Sequence, residues 1–598
     1  MVSSTAVLET KWQFYYCNFD LLGATQTVVC PGTTEHKLAE NQCRVEPFSV
    51  VFCGLTAYRP ERRVPKTIFM SIYWQKCTLE KYKMALAAVD TSQDFSEATS
   101  SVPVLDHDIV IIGCGFSGLG TGIKLLKKGF GDFIILEKAD GVGGTWRDNT
   151  YPGLAVDVPT LSYSFGFEQN PHWSNLYAPG SELKAYAEHC AKKYGITAHL
   201  RYNCDVTETA YDEENNVWVT STADGRTFTS RYVVSATGYL TLPKLPDIEG
   251  IDDFRGKKMH TGRWDHSHDL TGERVGFIGT GATAIQVIPE IVPKLKSLSV
   301  YQRTPIWLLP KKDMPIPNWL QAGFKHVPGL QRSARTMMQI FTDTIMINGL
   351  VFNKQLSWMI KWLEKFSIKH IRSQVNDPEI QNKLIPEYDF GCKRPSFTNK
   401  FYPVFNEEHV ELVTDSIERV TEKGIVTSDG KEREIDTLIY GTGFEVFQKG
   451  SVPTFGVKGL SGLDISDYWE ANRYQAFEGA TVPQFPNFFM IMGPYSVCSA
   501  SYFGMIETQT RHLTRCLKAA EKRNANYIEV KQSANDKNFK KIQKRAKYTI
   551  FQSGNCGGSN SYYIDRHGDS PFIRPSTSIE HWLTSCFFRM SNYNFKAK

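Results

Sequence analysis

Twice in this chain a short apolar run ends in a glycine-rich turn that opens a helix. That repetition limits the possible folds more than any other feature. Residues 107–113 read HDIVIIG and continue as GCGFSG over 113–118. Residues 274–279 read RVGFIG and continue as TGATA. An unbroken apolar run of this length suits a strand buried on both faces of a parallel sheet. Each turn leads into helically spaced residues and then a second apolar run, at 133–136 and 298–301. Strand, glycine turn, helix and parallel strand together form a βαβ unit, which is far more specific than a lone glycine pattern. The expected fold class is therefore α/β with two Rossmann-like dinucleotide-binding domains.

In the first unit Gly113 permits the tight turn. Gly115 lets the backbone approach a pyrophosphate at the positive helix N-terminus, and Gly118 lets helix and strand pack closely. Glu137 closes the second strand, where a carboxylate can accept hydrogen bonds from a ribose diol. The second unit has the G-x-G-x-x-A form, Gly279-Thr280-Gly281 with Ala284. Its second strand ends in Gln302-Arg303-Thr304, so the acid is missing and a guanidinium lies beside the vacant place. A carboxylate would repel a 2′-phosphate, whereas Arg303 can grip one bidentately; a solvated surface charge is the other reading of Arg303. An acid-terminated unit followed by an Arg-terminated one suggests FAD first and NADPH second. Residues 232–238 (YVVSATG) and 435–444 (IDTLIYGTGF) have the character of strands returning the chain to a dinucleotide fold. The NADPH domain is thus expected to be inserted within the FAD domain.

At 598 residues the chain is too long for one core. We expect an N-terminal extension over 1–103, poorly ordered, then a first FAD-binding part over 104–245. The NADPH-binding domain follows over 246–400, a second FAD-binding part over 401–520, and a C-terminal segment contributing to the active site over 521–598. A helix-rich insertion is expected at about 311–387, where residues 357–370 carry apolar residues at i, i+3 and i+4. Trp358, Trp362 and nearby lysines there leave two readings open, core packing or a membrane surface. Net charge is +5, from 68 basic and 63 acidic residues, with no dense basic run, so nucleic acid is not an expected partner. The 13 cysteines are odd in number, and no C-x-x-C occurs. This argues against a disulfide scaffold, a zinc site or a dithiol redox centre, and for reduced thiols. No apolar run approaches the ~18 residues that cross a bilayer, and no secretory leader is evident. An intracellular, cytoplasmic protein is the expectation.

Residues 254–265 (FRGKKMHTGRWD) resemble the F-x-G-x-x-x-H-x-x-x-W-[P/D] fingerprint of type I Baeyer–Villiger monooxygenases, with His260 and Trp264 at its fixed places. Residues 143–157 resemble a second signature of that family, [A/G]-G-x-W-x-x-x-x-[F/Y]-P-[G/M]-x-x-x-D, through Gly144, Thr145, Trp146 and Asp157. The resemblance runs from about 104 to 572. It implies an NADPH-dependent flavin monooxygenase that inserts one atom of O2 into a ketone through a C4a-peroxyflavin, giving an ester or lactone. Oxygenation of nitrogen or sulfur on the same scaffold is the alternative. Trp264 speaks for the ketone. Gly256 and Gly262 make the segment around His260 a turn-rich linker between the two folds. There the resemblance implies a conformational role for the histidine, and a hydrogen-bonded structural histidine is the other reading.

By the same resemblance the adjacent pair Lys393-Arg394 reaches the active site. Lys393 would join Arg303 and Thr304 at the 2′-phosphate end, and Arg394 would face the flavin, held by Asp157. A fixed guanidinium at that place stabilises an oxyanion. Read from the residues alone, Lys393-Arg394 is a basic pair in a loop bounded by glycine and proline. Tyr163 matches a family FAD contact, Val206 an adenine contact through its backbone, and Met505 falls loosely near the flavin. Many members carry Ser-Trp-Tyr near the C-terminus; here residues 561–563 read Ser-Tyr-Tyr. Tyr562 keeps the aromatic wall but changes its polar tip, which puts substrate range in doubt.

Overall fold

The computed structural model describes residues 17–21, 24–28 and 105–597. The chain divides into two units, Met1–Ser100 and Ser101–Lys598. In the first, strands Cys17–Leu21 and Ala24–Val28 pair antiparallel; the rest of the expected N-terminal extension lies outside the described residues.

The second unit holds two large sheets, each built around one glycine motif. In the first, strand β1 (His107–Ile112) lies parallel to β2 (Phe133–Leu136), with helix α1 (Phe116–Leu126) as the crossover. The last four residues of β1 and all of β2 are buried, which explains their unbroken apolar text. Strand Thr227–Ser235 runs parallel to β1 on its other side. It then serves two further neighbours, Val217–Thr222 antiparallel and Phe488–Met490 parallel. Strands Val206–Asp212, Gly456–Lys458 and Leu200–Arg201 complete the sheet.

The second sheet has five strands, all parallel. Strand β3 (Arg274–Ile278) is central, followed by helix α2 (Ala284–Ile291) and strand β4 (Ser297–Tyr301). The order is Val410–Val413, β4, β3, Thr437–Tyr440 and Lys257–His260. The expected division at residue 400 does not follow the sheets, because Val410–Val413 and Thr437–Tyr440 belong here. A lone four-residue apolar strand carries no mark of which parallel sheet it will join.

Helices Asn318–His326, α3 (Leu330–Thr342), α4 (Asn353–Gln374) and Pro378–Lys383 fill the expected insertion. The chain ends with helices α5 (Gln532–Ala546) and α6 (Ser578–Phe587) and an antiparallel pair, Tyr527–Val530 with Tyr593–Lys596. Among the described residues no helix is long and apolar enough to cross a membrane. One expectation is overturned: Cys392 and Cys556 form a disulfide across 164 residues. An odd number of irregularly spaced cysteines gives no signal for a pair brought together only by the tertiary fold.

Candidate functional site

The two glycine turns face one continuous cavity of about 1600 Å³. On the first side, β1 ends at Gly113, whose φ of +99° is a region that L side chains rarely adopt. A Cβ on Gly118 would stand 1.9 Å from the Gly113 carbonyl oxygen, so α1 crosses the strand end at backbone contact. Neither a side-chain cap nor an acidic residue occupies the first turn of α1. Its free N–H groups therefore open on the cavity beside Gly113 and Gly115. Glu137 is buried at the end of β2. Its carboxylate accepts from the backbone N–H of Cys114 (2.6 Å) and of Ala139 (3.0 Å), which fixes its orientation. Val206 lines the cavity together with Glu137, as do Gly144, Thr145, Trp146 and Tyr163. The Trp146 indole donates to the Tyr163 hydroxyl at 3.2 Å.

On the second side Gly279 repeats the Gly113 geometry, with φ +107°. Thr280 and Gly281 line the cavity beside it. The Thr280 hydroxyl donates to the Thr304 carbonyl at 3.2 Å. Arg303 is exposed and has no hydrogen-bond or ion-pair partner among the described residues. Lys393 comes close enough for the two cations to interact. Burial first, and the Arg303 charge second, lower the Lys393 pKa from 10.5 to about 8. Two crowded cations on a cavity wall form a site for an anion. Asn560, which sequence reasoning missed, donates to the Thr304 hydroxyl at 2.9 Å and ties the C-terminal segment to this corner. An asparagine in a glycine-rich loop gives no sequence signal for such a bridge.

Between the two sides lies Arg394. Its Nε and one terminal nitrogen each donate to an Asp157 carboxylate oxygen at 2.9 Å, a bidentate pair joining positions 237 apart in sequence. The Asp157 charge holds the guanidinium pKa well above its ordinary value. The loop carrying Lys393 and Arg394 is clamped from two directions. From α4, Lys361 pairs with Asp389 at 2.8 Å and Glu364 accepts the Phe390 N–H at 3.0 Å. From the C-terminal segment, Asn555 and Asp389 exchange two hydrogen bonds and Cys556 bonds covalently to Cys392. The loop bearing Asp157 is in turn stapled to α2, where the Gln286 side chain accepts the Ala155 N–H at 2.8 Å. Tyr562 and Met505 also line the cavity, and burial pushes the Tyr562 hydroxyl pKa up.

Four residues singled out in the sequence stand off the cavity wall. Gly118 and Ala284 lie behind it, inside their helix crossings. His260 ends the strand paired with Thr437–Tyr440. Its Nδ1 accepts the Gly262 N–H at 3.0 Å, so its Nε2 is the protonated nitrogen and donates to the Gly443 carbonyl at 3.0 Å. Burial lowers its pKa, favouring this neutral form. Because Gly443 does line the cavity, His260 reaches the site through one backbone segment. Trp264 is half-buried against the core of the second fold.

Comparison with known proteins places this architecture. A family model described as pyridine nucleotide-disulphide oxidoreductase matches residues 110–328, the stretch containing both glycine turns. A Baeyer–Villiger monooxygenase of Pseudomonas aeruginosa is 38% identical, covering 76% of this chain and 85% of that protein. Among solved structures, OTEMO in complex with FAD and NADP superposes with a TM-score of 0.72 at 25% identity, covering 83% of this chain and all of the other. Cyclohexanone monooxygenase bound to epsilon-caprolactone superposes with a TM-score of 0.71 at 25% identity, covering 82% of this chain and 99% of the other.

Proposed function

The chain belongs to the Baeyer–Villiger monooxygenases, and from that premise we propose how its own residues divide the work. The enzyme is an NADPH-dependent flavin monooxygenase that inserts one oxygen atom of O2 into a ketone, yielding an ester or lactone. Its cofactors are FAD and NADPH. The residues present fit both. The cavity exceeds the roughly 300–1,000 Å³ of an ordinary small-molecule site. Two glycine cradles open on it, one ending in a locked carboxylate and the other in paired cations. When bound, NADPH supplies hydride and FAD supplies the electron-transfer and oxygen chemistry.

Gly113, Gly115, Glu137, Gly144, Thr145, Trp146, Tyr163 and Val206 hold FAD on this reading. Gly279, Thr280, Gly281, Arg303, Thr304 and Lys393 hold NADPH, with Ala284 and Gly118 setting the two helix crossings. His260 and Trp264 act through the linker between the folds and not by direct contact.

Arg394 does the catalytic work. As a ketone is attacked, its carbonyl oxygen gathers negative charge, and a guanidinium already in place stabilises that charge without reorganisation. Asp157 fixes the aim of Arg394 and keeps it cationic across the working pH range. The single observation carrying this assignment is the bidentate Arg394–Asp157 pair on the cavity wall between the two cradles. We expect Arg394→Ala to keep the rate of flavin reduction by NADPH within a few-fold. Ester formation from a ketone should fall by about 10²–10³, the usual loss for a missing oxyanion donor. Stopped-flow reduction and product analysis on the same holoenzyme separate the two; ester formation at the unmodified rate would remove Arg394 from this role.

A further inference from the structure

Large apolar side chains exposed on this protein are not scattered. Of the 17 among the described residues, nine fall between residues 318 and 374 and four lie on α6. Isolated exposed apolar residues need no explanation, but a concentration of this kind does. The clearest case is α4. Trp358, Trp362 and Phe366 recur every four residues on one face and are 66%, 55% and 43% exposed. The Trp362 and Phe366 rings stack on each other and, among the described residues, on no other ring. On α3, Met337, Ile340 and Phe341 are 71%, 57% and 60% exposed at i, i+3 and i+4. On α6, Ile579, Trp582, Leu583 and Phe587 repeat the pattern.

The charge is one-sided along residues 318–374 and α5, although α6 itself carries one acid, Glu580, and no lysine or arginine. Residues 318–374 hold eight lysines and arginines against two acids, in a chain whose net charge is only +5. One of those acids, Asp343, is buried and hydrogen-bonded, and the other, Glu364, is paired with Lys361. Lys365, Lys369 and Arg372, interleaved with the aromatics of α4, have no ion-pair partner among the described residues. Lysines 537, 540 and 544 of α5 are exposed as well. The four helices are neighbours: Ser578 of α6 donates to Asp343 at the end of α3, Lys541 and Arg545 of α5 bind Glu580 of α6, and the Lys354 N–H of α4 donates to the Tyr548 carbonyl just past α5.

We propose that this helical face is a membrane-docking surface for a phospholipid bilayer carrying anionic headgroups. Tryptophans with interleaved lysines suit the interface, where the indoles enter the headgroup region and the ammonium groups reach the phosphates. The charge excess selects an anionic lipid over a neutral one. Docking there would also press on the site, because Lys361 and Glu364 of α4 hold the loop of Lys393 and Arg394.

The test uses the full-length holoenzyme sedimented with vesicles of phosphatidylcholine alone or mixed with phosphatidylserine. Pelleting with the mixed vesicles only, lost at high salt and accompanied by a blue shift of tryptophan emission, is the expected result. Lys365→Gln with Lys369→Gln should weaken partition about tenfold or more, taking roughly fivefold per lysine. Trp362→Glu should abolish it. Both variants alter exposed positions outside the cavity, and unchanged NADPH-driven flavin reduction shows that they fold. No pelleting, or equal pelleting with both vesicles, overturns the proposal. So does a dimer in analytical ultracentrifugation that Trp362→Glu dissociates, for then a second copy of the chain covers the face.

Discussion

The two glycine-turn units share a backbone plan and differ in how finished they are. Gly113 and Gly279 take the same positive φ at the end of their strands, and a Cβ on either would press on the backbone of a neighbouring strand end, at Ala236 or Gly441. Beyond that the first unit is locked. Its helix touches the strand through Gly118, and its acid, Glu137, is buried and held by two backbone N–H groups. The second unit takes a methyl group at the corresponding place, Ala284, and ends in an exposed Arg303 that has, among the described residues, no partner but a nearby cation. Such a locked cradle suits a nucleotide kept through many turnovers. The open, cationic one is complete only when an anion arrives, as befits a site that exchanges its nucleotide.

The largest way to break this contrast is to exchange the packing residues. Gly118→Ala puts a methyl carbon 1.9 Å from a backbone oxygen, and nothing flexible can yield there. We expect a loss of about 3 kcal/mol or more, with protein isolated largely free of flavin. Ala284→Gly removes a methyl from a buried helix start and should cost only about 0.5–1 kcal/mol, with both cofactors still bound. Thermal melts and the flavin absorbance of the purified variants read both. Equal losses would mean that the two crossings are not different in kind.

Next come the residues that end each second strand. Glu137→Gln leaves the Cys114 and Ala139 N–H groups facing an amide that can meet them only in part. Burial makes that costly, about 1–3 kcal/mol, and flavin retention should fall with it. Arg303→Glu breaks no hydrogen bond or ion pair among the described residues and replaces the repulsion of Lys393 by an attraction, so its melting temperature should hold or rise slightly. Instead KM for NADPH should rise about 10–100-fold, the worth of a charge-assisted contact, while KM for NADH stays level or falls. A drop in melting temperature for Arg303→Glu would show a structural role that the exposed side chain does not suggest.

What could be read from the text of the chain, and what could not, follows the same divide between local and distant. Both βαβ units are legible because strand, glycine and helix are contiguous and each residue answers a local steric demand. The meeting of Arg394 with Asp157 spans 237 positions, and only family resemblance pointed to it. Neither the Cys392–Cys556 bond nor the Asn560–Thr304 bridge leaves a mark in spacing. The sheet joined by Val410–Val413 is decided by tertiary pairing. On α4, Ile360, Leu363, Ser367 and Ile371 form the buried face and Trp358, Trp362 and Phe366 an exposed one. Apolar spacing alone cannot tell which of two such faces the core will take. The bulk reading of reduced thiols holds for Cys114, Cys190, Cys204, Cys498, Cys516 and Cys586, which are free, and breaks only at Cys392–Cys556, because composition is silent about a single long-range pair.

The smallest effect sharpens the comparison most, because it belongs to the second unit alone. Lys393 is a base whose pKa is lowered to about 8, mainly by burial and further by Arg303. A base with a depressed pKa carries its charge below that value and loses it as pH rises through it. The 2′-phosphate of NADPH is doubly ionised above about pH 6. Attraction between the two is therefore strongest from about pH 6 to 8 and weakens above. Binding the phosphate offsets the repulsion by Arg303, so the fall in affinity should begin somewhat above 8 once NADPH is present. KM for NADPH should rise several-fold, up to about tenfold, as pH is raised into the alkaline range. KM for NADH, which has no 2′-phosphate, should stay flat over the same interval. Lys393→Met should start with a higher KM for NADPH and lose the pH dependence, while Lys393→Arg should lose the pH dependence and keep the affinity. If NADPH and NADH gave parallel profiles in the unmodified enzyme, Lys393 would not face the phosphate, and Arg303 would have to discriminate between the two nucleotides alone.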